Sequence, residues 1–246
     1  MKLQEIFDQL THGELSQISF GGGEAGVIAP SNYSKVVSHV NLGLTSLHKR
    51  FPLKEGRVGL QLVPGITTYN ITSKFALNSR STREPVKYVI DTVDAPFKDD
   101  IHKIERVLTS DGYELPLNDG SDMYSLYTPT VARLRIPEVI VAQSIDLPDQ
   151  FKTETLEIVY RANHVKINPE DLMPDEVEVH LPESHVEALL YYIASRCHNP
   201  VGLQTEFQIG SAYSAKYEQA CQELERFNLL VDQGSQNTRL ANGGWV

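Results

Sequence analysis

Residue types capable of acid–base, nucleophilic or metal chemistry occur along this 246-residue chain, but their spacing assembles few of them. The eight histidines are scattered. No His-Glu-x-x-His places two imidazoles around zinc, no paired Cys-x-x-Cys appears, no Gly-x-Ser-x-Gly elbow presents a serine, and no dinucleotide glycine pattern follows a strand. Asp91, Asp94, Asp99 and Asp100 cluster within ten residues. They could hold calcium or act as an acid and base pair, yet loop aspartates more often cap turns and face water, and that is the favoured reading. His180 and His185 flank the start of a helix but lack partners at a ligand spacing, which leaves them a surface role. For Cys197 and Cys221, spacing alone admits a disulfide, while reduced core thiols are favoured. Phe20-Gly-Gly-Gly-Glu-Ala-Gly26 could cradle phosphate, but it lacks the Lys-Ser/Thr ending of a P-loop and follows no strand, so it reads as a connector. The expectation is a chain with no catalytic, cofactor or metal site, and not an enzyme.

Charge and apolar side chains point to binding instead. Lys49 and Arg50 close a predicted helix, with Lys54 and Arg57 just beyond. Cations at a helix C-terminus suit its dipole, which is the plainer reading; a weak contact with DNA or an acidic partner is the other. The net charge of −10 argues against a protein that grips nucleic acid over a broad surface, though not against one past which it slides. The end of the chain, 234–246, has no periodicity and too little apolar area to order alone. It carries Arg239, Leu240, Trp245 and Val246, which make it either an idle end or an anchor that orders on a partner. With 41% hydrophobic and 22% charged residues the chain can bury one large core or two smaller ones. No apolar run of membrane length occurs, and Met-Lys-Leu-Gln-Glu-Ile-Phe-Asp does not read as a signal peptide, so synthesis in cytoplasm is the default.

Three helical seams would position these residues. Pro182 suits a first helical turn, Glu183 and Glu187 suit the positive end of the dipole, and Val186, Leu189, Leu190, Ile193, Ala194 and Cys197 make one buried stripe that Asn199-Pro200 ends. After a short Pro-Val-Gly loop, Tyr213, Tyr217, Ala220, Leu224, Phe227 and Val231 are spaced four, three, four, three, four, as in helices packed nearly side by side. Ser31 or Asn32 can cap a third helix through Tyr33, Val37, Val40, Leu44, Leu47 and Phe51, which Pro52 closes. Seams of one period predict an antiparallel helical bundle from 1–55 and 175–233, with Tyr191 and Tyr192 in its core first and at an interface second. The chain opens on a short helix through Leu3, Ile6, Phe7 and Leu10. Thr11-x-x-Glu14 reads as a capping box that restarts a turn through Leu15 and Ile18.

From Gly56 the period changes to two. Val58, Leu60 and Leu62 alternate, Pro64-Gly65 turns the chain, and 67–71 returns as a hairpin. Val86 to Thr92 reads as a strand, Ile104 to Leu108 and Tyr113 to Leu117 as a hairpin across Ser110-Asp111-Gly112, and Tyr124 to Tyr127, Thr130 to Ile136 and Thr155 to Val165 as further strands, the last with Leu156, Ile158 and Tyr160 on one face. Seven or eight short strands with no helical pattern between them predict an inserted antiparallel β sandwich or barrel over 56–168, in an α+β protein. Asn168 to Pro174 reads as a proline-bracketed linker.

Two stretches, Met-Lys-Leu-Gln-Glu-Ile-Phe-Asp-Gln-Leu-Thr-His-Gly-Glu-Leu-Ser-Gln at 1–17 and Asn-Tyr-Ser-Lys-Val-Val-Ser-His-Val-Asn-Leu-Gly-Leu-Thr-Ser-Leu-His-Lys-Arg-Phe-Pro-Leu-Lys-Glu-Gly at 32–56, resemble the opening of a group of tailed-bacteriophage virion proteins. The plan of helix, β insert and helix resembles the head-to-tail adaptor (connector or tail tubular protein) of short-tailed phages. The resemblance implies a homo-oligomeric ring, a dodecamer, under the portal protein. It further implies a helical bundle lining the exit channel for double-stranded DNA, a C-terminal tail docked on the portal, and a β domain facing tail nozzle, tube or fibre proteins. The expected location is the virion neck or tail, with no membrane and no cofactor. The rival expectations are another neck or tail-completion ring protein, and a small hydrolase built on the β domain.

Overall fold

The computed structural model describes residues 1–16, 27–79, 86–170, 172–198 and 204–227. Among them are five α-helices and seven strands in two antiparallel sheets, neither closed into a barrel. The chain divides into two compact units, residues 1–51 with 165–246, and residues 52–164.

The first unit holds α1 (Leu3–His12), α2 (Tyr33–Arg50), α4 (Val186–Cys197) and α5 (Gln204–Arg226). α4 is its centre and packs against α1, α2 and α5. Apolar residues at helical spacing make this possible: Leu3, Ile6, Phe7 and Leu10 of α1, Val37, Val40, Leu44 and Leu47 of α2, and Val186, Leu189, Leu190, Ile193 and Ala194 of α4 are all buried. Gly43 lets α2 and α4 approach, since a Cβ there would stand 2.6 Å from Leu189 Cδ1 and 3.0 Å from Tyr192 Cδ1. A 3₁₀ turn, Pro30–Asn32, leads into α2, and another, Glu183–His185, leads into α4, so Pro182 precedes the helical turns and does not sit inside the first.

Four expectations for this unit need correction. Thr11 lies inside α1, which runs on to His12 and ends at Gly13, so it caps no new helix. The stretch read as a linker is tied to the chain start: Gln4 N donates to Pro174 O at 3.0 Å, Leu3 N to Val177 O at 2.9 Å, and Val179 N to Met1 O at 2.8 Å. Phe227 is 73% exposed and lies past the end of α5, so it belongs to no seam. His185 is buried, with its ring edge-on to Phe51 at 4.8 Å, and has no surface role. Ile18, the segment 20–26, Asn199-Pro200 and Val231 lie outside the described residues.

In the second unit a four-stranded sheet is ordered β3 (Val89–Ile90), β1 (Glu55–Gln61), β7 (Thr155–Ala162), β4 (Ile101–Thr109). A three-stranded sheet is ordered β2 (Thr68–Asn70), β6 (Arg133–Arg135), β5 (Tyr127–Thr130). Val58 pairs with Ile158 and Leu60 with Leu156. These residues share one core with Tyr69, Leu134 and Ile136 from the other sheet or beside it. The expected hairpin over 56–71 does not form, because β1 and β2 pair in different sheets. The Ser110-Asp111-Gly112 turn forms, with Gly112 at φ +81°, but its return arm makes isolated bridges, Glu114 to Leu108 and Leu117 to Leu126, in place of a strand over 113–117. The strand expected at Tyr124 to Tyr127 begins instead at Tyr127. A short α3 (Glu138–Val141), whose Ile140 and Val141 are buried, occupies a stretch that carries no sequence period of its own.

Candidate interaction surface

α5 is a 23-residue helix held along one stripe. Gly210, Cys221 and Leu224 are buried and Tyr213, Tyr217 and Ala220 half-buried, while Ser211, Ser214, Ala215, Glu218 and Gln222 face outward. Its attachment is polar as well as apolar. Arg50, the last residue of α2, forks onto two carboxylates: Nη1 and Nη2 donate to Glu218 at 2.7 and 2.9 Å, and Nε and Nη2 to Glu225 at 2.7 and 3.2 Å. Hydrogen bonds from Arg50 hold the Glu218 and Glu225 carboxyls below the usual glutamate range, and the bonds to Glu218 and then Glu225 hold the guanidinium above its own. One turn earlier the hydroxyls of Ser46 and Tyr217 lie 2.8 Å apart. Burial, the largest cause, pushes the Tyr217 phenol up to about 12, so it stays a neutral hydrogen-bonding group.

Tyrosines line the α4–α5 contact. Tyr217 stands edge-on to Tyr192 at 5.2 Å, and Tyr213 stacks with His198 at 5.2 Å. His198 Nε2 lies 2.9 Å from Glu14 O. Lys216 Nζ lies 5.0 Å from the Tyr213 ring centre and 5.6 Å from that of Tyr191. Tyr191 donates to Glu187 at 2.7 Å, a bond that, as the largest cause, raises its phenol to about 12. Beside this row, Ser195 and Arg196 of α4 and Ser211, Ser214 and Ala215 of α5 line an open groove of about 690 Å³, with Tyr192, Tyr217 and Glu218 on its walls. Arg196 is laid over the Tyr192 ring at 5.4 Å, at one side of the groove. Small side chains between aromatic walls suit the acceptance of side chains from another helix.

The residues singled out in the sequence separate in space. Val40, Leu44, Leu47 and Leu224 are buried in the first unit, with Tyr213 and Tyr217 half-buried beside them. Of the four cations, Arg50 is in the fork, and Lys49 is exposed on α2. Lys54 donates to Asp100 and to Asn163 O, both at 3.1 Å. Arg57 pairs with Glu55 at 3.2 Å and with Glu157 at 3.6 Å. Arg50, Lys54 and Arg57 thus meet carboxylates of the same chain. Asp91 accepts from Asn78 N at 3.0 Å and Phe97 N at 3.2 Å, Asp99 from Ser73, and Asp100 from Tyr160 at 3.0 Å, so these aspartates fasten loops and do not converge. No group of three or more metal-ligating side chains occurs among the described residues. Cys197 and Cys221 are free thiols, and burial pushes Cys197 up to about 12. Arg239, Leu240, Trp245 and Val246 lie outside the described residues, and no helix among those described is long and apolar enough to cross a membrane. Sequence reasoning missed the carboxylate pair that meets Arg50 and the groove. The available signals were Glu218 and Glu225 seven apart, and small residues at 211, 214 and 215.

No protein-family model matches the chain, and no curated protein matches its sequence.

Proposed function

We propose that this chain is a structural, non-enzymatic virion protein, the subunit of a head-to-tail adaptor ring that joins the portal of a short-tailed phage to its tail and lines the DNA exit channel. The observation that carries this reading is the pairing of two features. The described segments before and after the β unit in sequence build one helical unit, and that helical unit leaves one side of α5 and the groove beside it exposed. The helices form an antiparallel bundle and the two sheets stack as a sandwich, which the central place of α4 and the core shared by both sheets support. The acidic balance of −10 fits a channel wall that does not retain DNA. In this reading Arg239, Leu240, Trp245 and Val246 dock on the portal, the β unit meets tail nozzle, tube or fibre proteins, and the ring has twelve subunits. A neck or tail-completion ring of another order shares the same supporting observation and differs only in subunit number.

Co-sedimentation with DNA-filled, portal-bearing heads tests the adaptor role. Full-length chain should pellet with heads, and chain lacking 234–246, or carrying Trp245→Ala, should attach much less while melting as the parent does. Equal attachment by the truncated chain would place the portal contact elsewhere, and no attachment by the full chain would contradict the adaptor reading.

A further inference from the structure

From the helical unit we infer that the outer face of α2 on one copy seats in the α4–α5 groove of the next, as the head-to-tail contact that builds the assembly; this rests on the ring reading above. α2 buries one side and turns the other outward, and the exposed residues Lys35, Ser38, Leu42 and Lys49 recur with helical spacing, with Thr45 half-buried between the last two. Leu42 is 51% exposed at the middle of that face, seven residues from a lysine on either side. Small or polar neighbours at Ser38 and Thr45 leave Leu42 standing as a single apolar knob. The groove supplies the matching shape: Ser211, Ser214 and Ala215 form a shallow floor on α5, and Tyr192 and Tyr217 form apolar walls. A leucine flanked by small side chains fits a recess flanked by large ones, which is how helix ridges and grooves interlock.

Charge points to the same occupant. α2 has no acidic residue among its 18, so its outer face is positive. At one end of the groove, Glu218 shares the Arg50 guanidinium with Glu225 beyond it, two carboxylates to one cation. Lys216 of α5 is drawn over the rings of Tyr191 and Tyr213, and Arg196 over the ring of Tyr192. A lysine of the incoming α2 can therefore lie beside the glutamate pair. Knob and groove are different surfaces of one chain, so each copy offers one of each, and the contact is heterologous: it propagates until a ring closes.

The full chain carrying Leu42→Cys together with either Ser211→Cys or Ser214→Cys, oxidised and run without reductant, tests this. The expected result is a ladder of covalent multimers longer than a dimer from at least one pairing, and no ladder from the parent chain or from single variants. A ladder that stops at the dimer would overturn the head-to-tail contact. An assembly that persists by mass yet cross-links in neither pairing would overturn the groove as its seat and leave the ring reading standing. A chain that is monomeric both alone and with portal protein added would instead sink the ring reading. Leu42→Asp provides a check independent of cysteine chemistry: the substitution is at an exposed position, so the melting temperature should stay near that of the parent while the assembled fraction falls at least tenfold. Undiminished assembly by Leu42→Asp would overturn the inference.

Discussion

Arg50 is the residue whose guanidinium ties α2 to α5. It is 23% exposed, whereas Glu218 is 50% exposed, so water screens the pair and its worth lies near that of a good surface network, about 1 kcal/mol. Arg50→Ala should lower the urea midpoint of the helical unit by a corresponding amount, with the β unit unaffected; an unchanged midpoint would mean that the fork contributes nothing to stability. His39 and His185 act in the opposite sense. Burial, helped at His39 by the nearby Arg196 charge, lowers both imidazoles below their ordinary 6.5. His39 Nδ1 and His185 Nε2 are buried with no hydrogen-bond partner among the described residues. The unfolded chain therefore takes up protons first, so the stability these residues allow is fully present above pH 6.5 and is lost as the pH falls below it. A second loss should follow below 4.5, where the unfolded chain protonates Glu218 and Glu225 before the fork releases them. Melting temperature followed from neutral to acid pH should show the first decline, and His185→Phe should reduce it; a flat profile through 6.5 would contradict the account.

At the scale of elements, the helical period decides what can be read from residues. α2 and α4 announced themselves because each has one deep apolar stripe over several turns, and so did α1. Phe227 extended the α5 pattern by period alone, but the helix ends one residue before it and its ring meets water. The β unit was legible as strands but less so as pairings. β4 is the clearest case: register shifts at Ile101/Lys103 and Ile104/Arg106 turn its burial into steps of three at Ile101, Ile104 and Val107, so a period of two misses its beginning. β1 and β2 look like a hairpin because a Pro-Gly turn joins them, yet pairing across sheets is a long-range event that no local signal carries. The groove was illegible for a similar reason, since it needs α4 and α5 in place before Ser195 and Ser214 face one space. Leu224 tests the seating of α5 most simply. It is 7% exposed, and Leu224→Asp would bury an unpaired carboxylate at a cost of at least about 3 kcal/mol. A variant that melts like the parent would show that this core is not where we place it.

For the whole molecule, the proposed function requires copies of one chain to close into a ring around a DNA path. Such a wall should hold duplex DNA weakly near physiological salt, because the candidate cations Arg50, Lys54 and Arg57 already meet carboxylates of the same chain. Tight binding at that salt, insensitive to sequence, would contradict a passive channel. The most direct test is the mass of the purified full-length protein by native mass spectrometry over a range of concentrations, paired with negative-stain images of the same sample. The expected result is a single assembled species at an integral multiple of the 27.5 kDa subunit, twelve for the dodecamer, seen end-on as a ring with an open centre. A chain that stays at 27.5 kDa at every concentration and forms no ring on added portal protein, or that stops at a closed dimer, would contradict a ring.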